Sequence, residues 1–271
     1  MVINPSTSGQ NPTVYAFVDG GYIRKRFHDM MMAVFGEVPD IEFFVFRSFL
    51  GASRVFFYDC EYDTQGESFP AEREWSSRQH INIRKADHSR LRLGTLSRGG
   101  KRKEVGQKEV DVLLAVDMLS RAYGGSMDEA VLVAGDLDFR PVIDEVVRYR
   151  TQVKLVFDVR SCPQELRDCV DVRYALTFFD YYNWTGESFK GSHKIPAQRN
   201  SLPGDARCIR HGSANGRIVE LYSSRDRTMY LSVSNSKDSH ESKTLYAAES
   251  ASDFLITKFA PAVIGEIVWN G

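Results

Sequence analysis

The chain has 271 residues, 42% of them hydrophobic and 26% charged, with a formal net charge of -1. That is the composition of a globular protein, one large domain or a domain with a smaller companion. It gives no global argument for nucleic acid or a membrane surface, and no stretch reaches the ~18 apolar residues a membrane helix needs, so any basic surface must be local.

Residues 1–13 are polar, rich in Ser, Asn and Pro, and read as a disordered segment without the apolar centre of a signal peptide. Thr13–Val18 reads as a buried strand, followed at once by Asp19-Gly20-Gly21 and a helix over Tyr22–Phe35. The glycines let backbone approach the strand end, but neither GxGxxG nor GxxxxGK is present, so this is not a phosphate loop. Asp40–Phe49 reads as helical. Arg54–Tyr58 reads as a second strand, again with acid behind it in Asp59-Cys60-Glu61. Ala71–His80 reads as a surface helix, and Ile81–Lys85 and Leu91–Leu96 as strands or a hairpin-like excursion.

Between Arg84 and Lys108 the balance turns basic. Arg98, Lys101, Arg102, Lys103 and Lys108 crowd a Gly-containing stretch with the composition of a loop. Such a segment beside an acidic site suits a phosphodiester, although many charge runs are ordinary solvated loops. Glu109–Tyr123 follows as a helix with apolar residues around nearly its whole circumference, which predicts burial. Asp111 and Asp117 are costly in such a place without a cation or several donors. Asp111, placed in the first turn, also has the helix dipole as a reason to be there. It is assigned to a metal site, and Asp117 to a buried hydrogen-bonded role.

Val131–Ala134 is a continuous apolar run that suits a strand buried on both faces. Gly135 ends it, and Asp136 and Asp138 stand where the strand would emerge. Two carboxylates one residue apart repel, so a cation would favour holding them there; an Asx turn or a cap of the helix Phe139–Tyr149 is the alternative, chiefly for Asp138. Gln152–Phe157 is another strand, Pro163–Val170 a short helix and Ala175–Phe179 a last short element. The alternation implies a parallel α/β sheet with helices on both faces.

Four motifs stand in order: Phe17-Val18-Asp19-Gly20-Gly21-Tyr22, Lys108–Leu119, Val133-Ala134-Gly135-Asp136-Leu137-Asp138-Phe139-Arg140-Pro141, and Leu166–Asp171. Together they resemble the NYN domain family, a branch of the PIN-like nucleases that includes the LabA-like proteins of bacteria, over roughly Val14–Tyr182. The resemblance implies a Rossmann-like fold, an acidic cluster binding Mg²⁺ or Mn²⁺, and RNA cleavage. By motif that role falls on Asp19, Asp111, Asp136 and Asp138. Many members have an asparagine three residues after the first aspartate, where this chain has Tyr22. The residues suit the chemistry independently, since a hard divalent cation prefers oxygen ligands plus substrate phosphate. The six histidines are scattered without an HxxxH pair, which argues against histidine-ligated zinc.

Residues 183–204 are rich in Gly, Ser, Asn and Pro and read as a linker; 205–271 read as a small β-rich module of short runs, including Phe254–Phe259. Asn215-Gly216 is a type I′ hairpin signal. Arg207, Arg210, Arg217, Arg225 and Arg227 on such strands fit polar outer faces better than a nucleic-acid surface. Cys60, Cys162, Cys169 and Cys208 form no CxxC pair and are expected as free thiols in the cytoplasm. The expectation is a metal-dependent ribonuclease acting on single-stranded or structured RNA, with homo-oligomerisation left open. The alternatives are a non-catalytic RNA-binding or assembly protein, and a small-molecule phosphohydrolase. The last would need Asp-x-Asp after the first strand, where the chain reads Asp19-Gly20-Gly21.

Overall fold

The computed structural model describes residues 12–60, 70–94, 105–234, 243–248 and 252–270, with the backbone alone at 70–73, 105–108 and 252. The chain divides into two compact units, one holding Asp40–Leu176 and the chain up to Phe27, the other His28–Pro39 and Thr177–Gly271.

In chain order the first unit comprises β1 (Val14–Asp19), α1 (Gly20–Phe35, shared with the second unit), α2 (Phe43–Leu50), β2 (Arg54–Cys60), α3 (Pro70–Lys85) and β3 (Ser89–Gly94). Next are α4 (Val105–Tyr123), β4 (Glu129–Val133), α5 (Arg140–Arg148), β5 (Gln152–Phe157), α6 (Gln164–Asp168) and β6 (Val172–Ala175). The strands form one sheet in the order β3-β2-β1-β4-β5-β6, and every pairing is parallel. The α/β sheet read from the sequence is therefore present.

Alternation along the strands fixes the layers. Tyr15 and Phe17 of β1, Phe56 and Tyr58 of β2, and Ala130 and Leu132 of β4 share one core with Val110, Leu114, Met118 and Ala122 of α4 and Val142, Ile143 and Val146 of α5. On the opposite face, Phe57 meets Phe43 of α2 edge-on, ring centroids 5.6 Å apart. In α1 the buried residues Ile23, Phe27, Met30, Met31 and Val34 recur at helical spacing.

Two local readings change. Ile81–Lys85 is the end of α3, not a strand; its buried Ser76, Gln79 and Ile83 follow helical spacing. The helix α4 is not buried all round: Val112 and Val116 are 62% and 54% exposed. The stripe through Val110, Leu114, Met118 and Ala122 is buried, Leu113, Ala115 and Leu119 flank it partly buried against the same core, and Val112 and Val116 face water.

The second unit contains α7 (Phe178–Asn183), α8 (Glu187–Ser192) and β7 (Ala197–Arg199), then β8 (Arg207–Ala214), β9 (Arg217–Ser223), β10 (Met229–Ser234) and β11 (Lys243–Ala248). With β12 (Val268–Trp269) these strands form a six-stranded sheet in the order β12-β8-β9-β10-β11-β7, with antiparallel pairings. Asn215 and Gly216 both have positive φ, 48° and 77°, as a type I′ hairpin between β8 and β9 requires. Phe254–Phe259 is helical instead of extended. A short α-helix, Ser252–Phe254, continues as a π-helix, Leu255–Phe259, and again as an α-helix, Ala260–Ile264. Its buried residues Leu255, Phe259, Ala260 and Ile264 lie on one helical stripe. Among the described residues no helix is long and apolar enough to cross a membrane.

Candidate functional site

The strand order reverses direction beside β1. From β1 the chain moves outward to β2 and β3, then returns to β4 on the other side of β1 and proceeds to β5 and β6. In open α/β sheets the crevice at such a switch point, at the carboxyl ends of the strands, is where ligands bind. Here those ends carry Asp19 and Gly135-Asp136-Leu137-Asp138. Val18 is in register with Val133, so both acidic segments leave the sheet at the same edge.

Each side chain has a local reason for its place. Asp19 closes β1, and its Oδ1 accepts the Tyr22 N–H at 2.9 Å. Gly20 must be glycine, because a Cβ there would lie 2.4 Å from Phe57 Cε1 and 2.7 Å from the Tyr58 carbonyl oxygen. Asp136 is the cap of the 3₁₀ turn Leu137–Phe139, its Oδ1 accepting the Asp138 N–H at 3.0 Å. The capping role expected chiefly of Asp138 thus belongs to Asp136. Asp111 lies beyond the first turn of α4, which starts at Val105. The helix dipole therefore does not account for it, because that effect fades within one turn.

Asp111 is the link among the four. Burial, then the charges of Asp136 and Asp138, push its carboxyl up to about 6. Asp19 is pushed up to about 7, mainly by burial, with the Asp111 and Asp59 charges adding to the rise. Asp19, Asp111, Asp136 and Asp138 therefore share one electrostatic neighbourhood. Among the described residues no group of three or more Asp, Glu, His or Cys side chains is placed to hold one metal ion. The donor set is oxygen only and anionic, the type that suits Mg²⁺ or Mn²⁺.

The pH dependence follows from these two shifts. Between the ordinary carboxyl value of 3.8 and about 7, folded Asp19 holds a proton that the unfolded chain has released. The stability linked to that proton is complete below about pH 4 and is lost as pH rises toward 7. Without divalent cations the melting temperature should be higher at pH 5.5 than at pH 8, and millimolar Mn²⁺ should raise the pH 8 value selectively. A melting temperature insensitive to Mn²⁺ at both pH values would contradict this.

Tyr22 joins three strand ends. Its backbone N–H holds Asp19, and its hydroxyl accepts the Asp158 N–H at 2.8 Å and lies 3.2 Å from Ser161 Oγ. Its ring packs so closely on Gly135 that an added Cβ would stand 2.3 Å from Tyr22 Cε2, and also 2.7 Å from the Ser161 carbonyl oxygen. Gly135→Ala should therefore destabilise the protein by about 1–3 kcal/mol. Combining it with Tyr22→Asn, which removes the ring, should cost less than the two single losses added together in thermal unfolding.

Near Asp19 lies a further cluster, built on an acid at the end of the second strand. Asp59, at the end of β2, has a side chain only 2% exposed. It accepts Arg24 Nη2 at 2.7 Å, and its other oxygen lies 2.6 Å from His80 Nε2. Arg24 also bonds Ser76. The signal was the acid after Arg54–Tyr58, but nothing in the sequence indicated its partners. Asp117 accepts the Tyr58 hydroxyl at 3.0 Å and pairs with Arg92 at 3.1 Å, a hydrogen-bonded role as expected, although its side chain is 18% exposed. Of the predicted basic residues, Arg98, Lys101, Arg102 and Lys103 lie outside the described residues, as does the side chain of Lys108.

The NYN domain family model matches residues 38–177, just over half of the chain. That span contains Asp111, Asp136 and Asp138; Asp19 precedes it. No curated protein is significantly similar. The chain is similar to the crystal structure of a protein of unknown function from Vibrio parahaemolyticus, 17% identical, over 63% of this chain and 96% of that one, with a TM-score of 0.44. So distant a likeness supports no functional argument. By the match to its family model, with a parallel sheet that fits the PIN-like fold, the chain belongs to the NYN domain family, within the PIN-like nuclease superfamily.

Proposed function

We propose that the protein is a metal-dependent ribonuclease that hydrolyses RNA phosphodiester bonds at the carboxyl ends of β1 and β4. The observation behind this reading is the coupling of Asp111 to Asp19, Asp136 and Asp138 at the switch point of the sheet. Asp19 is buried and Asp111 half-buried, whereas Asp136 and Asp138 are exposed; a cation or a proton would offset the cost of keeping the first two anionic beside the charges of the others. The four aspartates would hold Mg²⁺ or Mn²⁺. When bound, the ion activates water and stabilises charge on the phosphate.

The chain's own contributions are orientation and electrostatics. The Tyr22 and Asp138 N–H groups each fix one oxygen of Asp19 and Asp136, so both carboxylates are oriented before substrate arrives. Arg98, Lys101, Arg102, Lys103 and Lys108 would hold backbone phosphates along the RNA. A cytoplasmic setting suits the four free cysteines.

The spacing of the carboxylates and the presence of Tyr22 favour a second reading, RNA binding without turnover. A panel of single-stranded, structured and duplex RNAs, and DNA, incubated with and without Mn²⁺ separates the two. Ribonuclease function predicts Mn²⁺-dependent RNA cleavage that Asp136→Ala abolishes without loss of RNA binding. RNA binding with no cleavage of any substrate selects the second reading, and undiminished cleavage by Asp136→Ala removes the site assignment.

A further inference from the structure

Beside the aspartates, within the first unit, lies a cleft of about 690 Å³. Asp19 and Asp136 form one part of its lining. Lys25, Arg26 and Arg160 form another, with Leu137 and Pro163 as apolar lining. Lys25 and Arg26 follow the first turn of α1, and Arg160 follows β5. The loop bearing Arg160 is held to α1 by Tyr22, through the Asp158 N–H and Ser161. Arg160 is paired with the buried Asp158, one oxygen of which accepts its backbone N–H and its Nε, both at 2.9 Å, while the other accepts Nη2 at 2.5 Å. That fixes the guanidinium instead of leaving it on a mobile side chain.

We propose that this cleft is a subsite for one nucleotide, its phosphate held by Lys25, Arg26 and Arg160 and its base and ribose against Leu137 and Pro163. The volume is within the range of about 300–1,000 Å³ for small-ligand sites. Cations hold phosphate oxygens, Lys25 as a point charge and Arg26 by its planar fork; Arg160, whose Nε–Nη2 edge is on Asp158, is the held third cation. A base inside a duplex is stacked and paired, so the occupant is an unpaired nucleotide. The inference rests on the nuclease reading for its place in the reaction, because it seats the nucleotide next to the phosphate to be cut. As a binding site it stands independently of cleavage.

The test is titration calorimetry of the full chain with AMP in EDTA, with adenosine and inorganic phosphate as comparisons. AMP should bind at least tenfold more tightly than either comparison ligand. Lys25→Glu, a change at an exposed side chain, should weaken AMP binding at least tenfold, and Lys25→Glu with Arg26→Glu should abolish it. Arg148→Glu, the same charge change on α5, should leave it unchanged, and circular dichroism melts confirm that each variant is folded. Absence of AMP binding by the unaltered protein, or equal weakening by Arg148→Glu, overturns the subsite. RNA cleavage without AMP binding leaves the nuclease reading intact, whereas AMP binding without cleavage of any RNA removes that reading and keeps the subsite.

Discussion

Replacing Asp111 by Asn should reduce RNA cleavage by more than about a hundredfold, since even outer-shell partners of a metal are worth ten- to a hundredfold. It should also raise the melting temperature of the metal-free protein near pH 8. The two effects have one cause. Asp111 is charged there, beside Asp136 and Asp138, and its charge also opposes ionisation of Asp19. Neutralising it removes repulsion within the fold while removing a ligand oxygen from the site. An aspartate retained for stability would behave in the opposite way, with its loss lowering the melting temperature and leaving cleavage intact. Cleavage kinetics and thermal melts on the same preparation decide between the two.

The largest expected effect on stability is at Asp59. Asp59→Asn leaves the buried Arg24 without the carboxylate that meets it at 2.7 Å through both oxygens. Breaking one side of a buried ion pair typically costs about 3–5 kcal/mol, which for a domain of this size corresponds to a fall of roughly 10 °C in melting temperature. Arg24→Met in the same background should recover part of the loss, because the buried charge that lost its carboxylate is then gone. Denaturant unfolding of the two single variants and the double variant gives the coupling energy. A loss below about 1 kcal/mol for Asp59→Asn, or strictly additive losses, would show that the pair is not the anchor the geometry indicates.

Local pattern made much of the first unit legible. Val14–Asp19, Arg54–Cys60 and Gln152–Phe157 are short apolar runs, and each is a strand. Asn215-Gly216 specifies its turn through backbone preference alone. Ile81–Lys85 misleads because a five-residue window cannot separate a strand from the end of a helix that began at Pro70. Phe254–Phe259 misleads in the same way: its buried partners Ala260 and Ile264 lie outside the run that was read.

The candidate site was legible as a set of strand-end and helix acids, because topology puts β1 and β4 side by side. Its surroundings were not. Asp59 finds His80 and Arg24 at separations of 21 and 35 residues. Tyr22 illustrates the same limit. Its place three residues after Asp19, where many members of the family have an asparagine, is plain in the sequence, yet its hydroxyl acts on the Asp158–Ser161 loop, 136 residues away at the nearer bond.

If Asp19, Asp111, Asp136 and Asp138 form one divalent-cation site, the protein binds Mn²⁺ saturably. Calorimetric titration of Mn²⁺ into the protein at pH 8, beside Asp111→Asn, tests it most directly. Saturable binding is expected, weakening below pH 6 as protons compete for the raised carboxylates and abolished by the substitution. Absence of saturable binding, or binding that Asp111→Asn leaves unchanged, would contradict it.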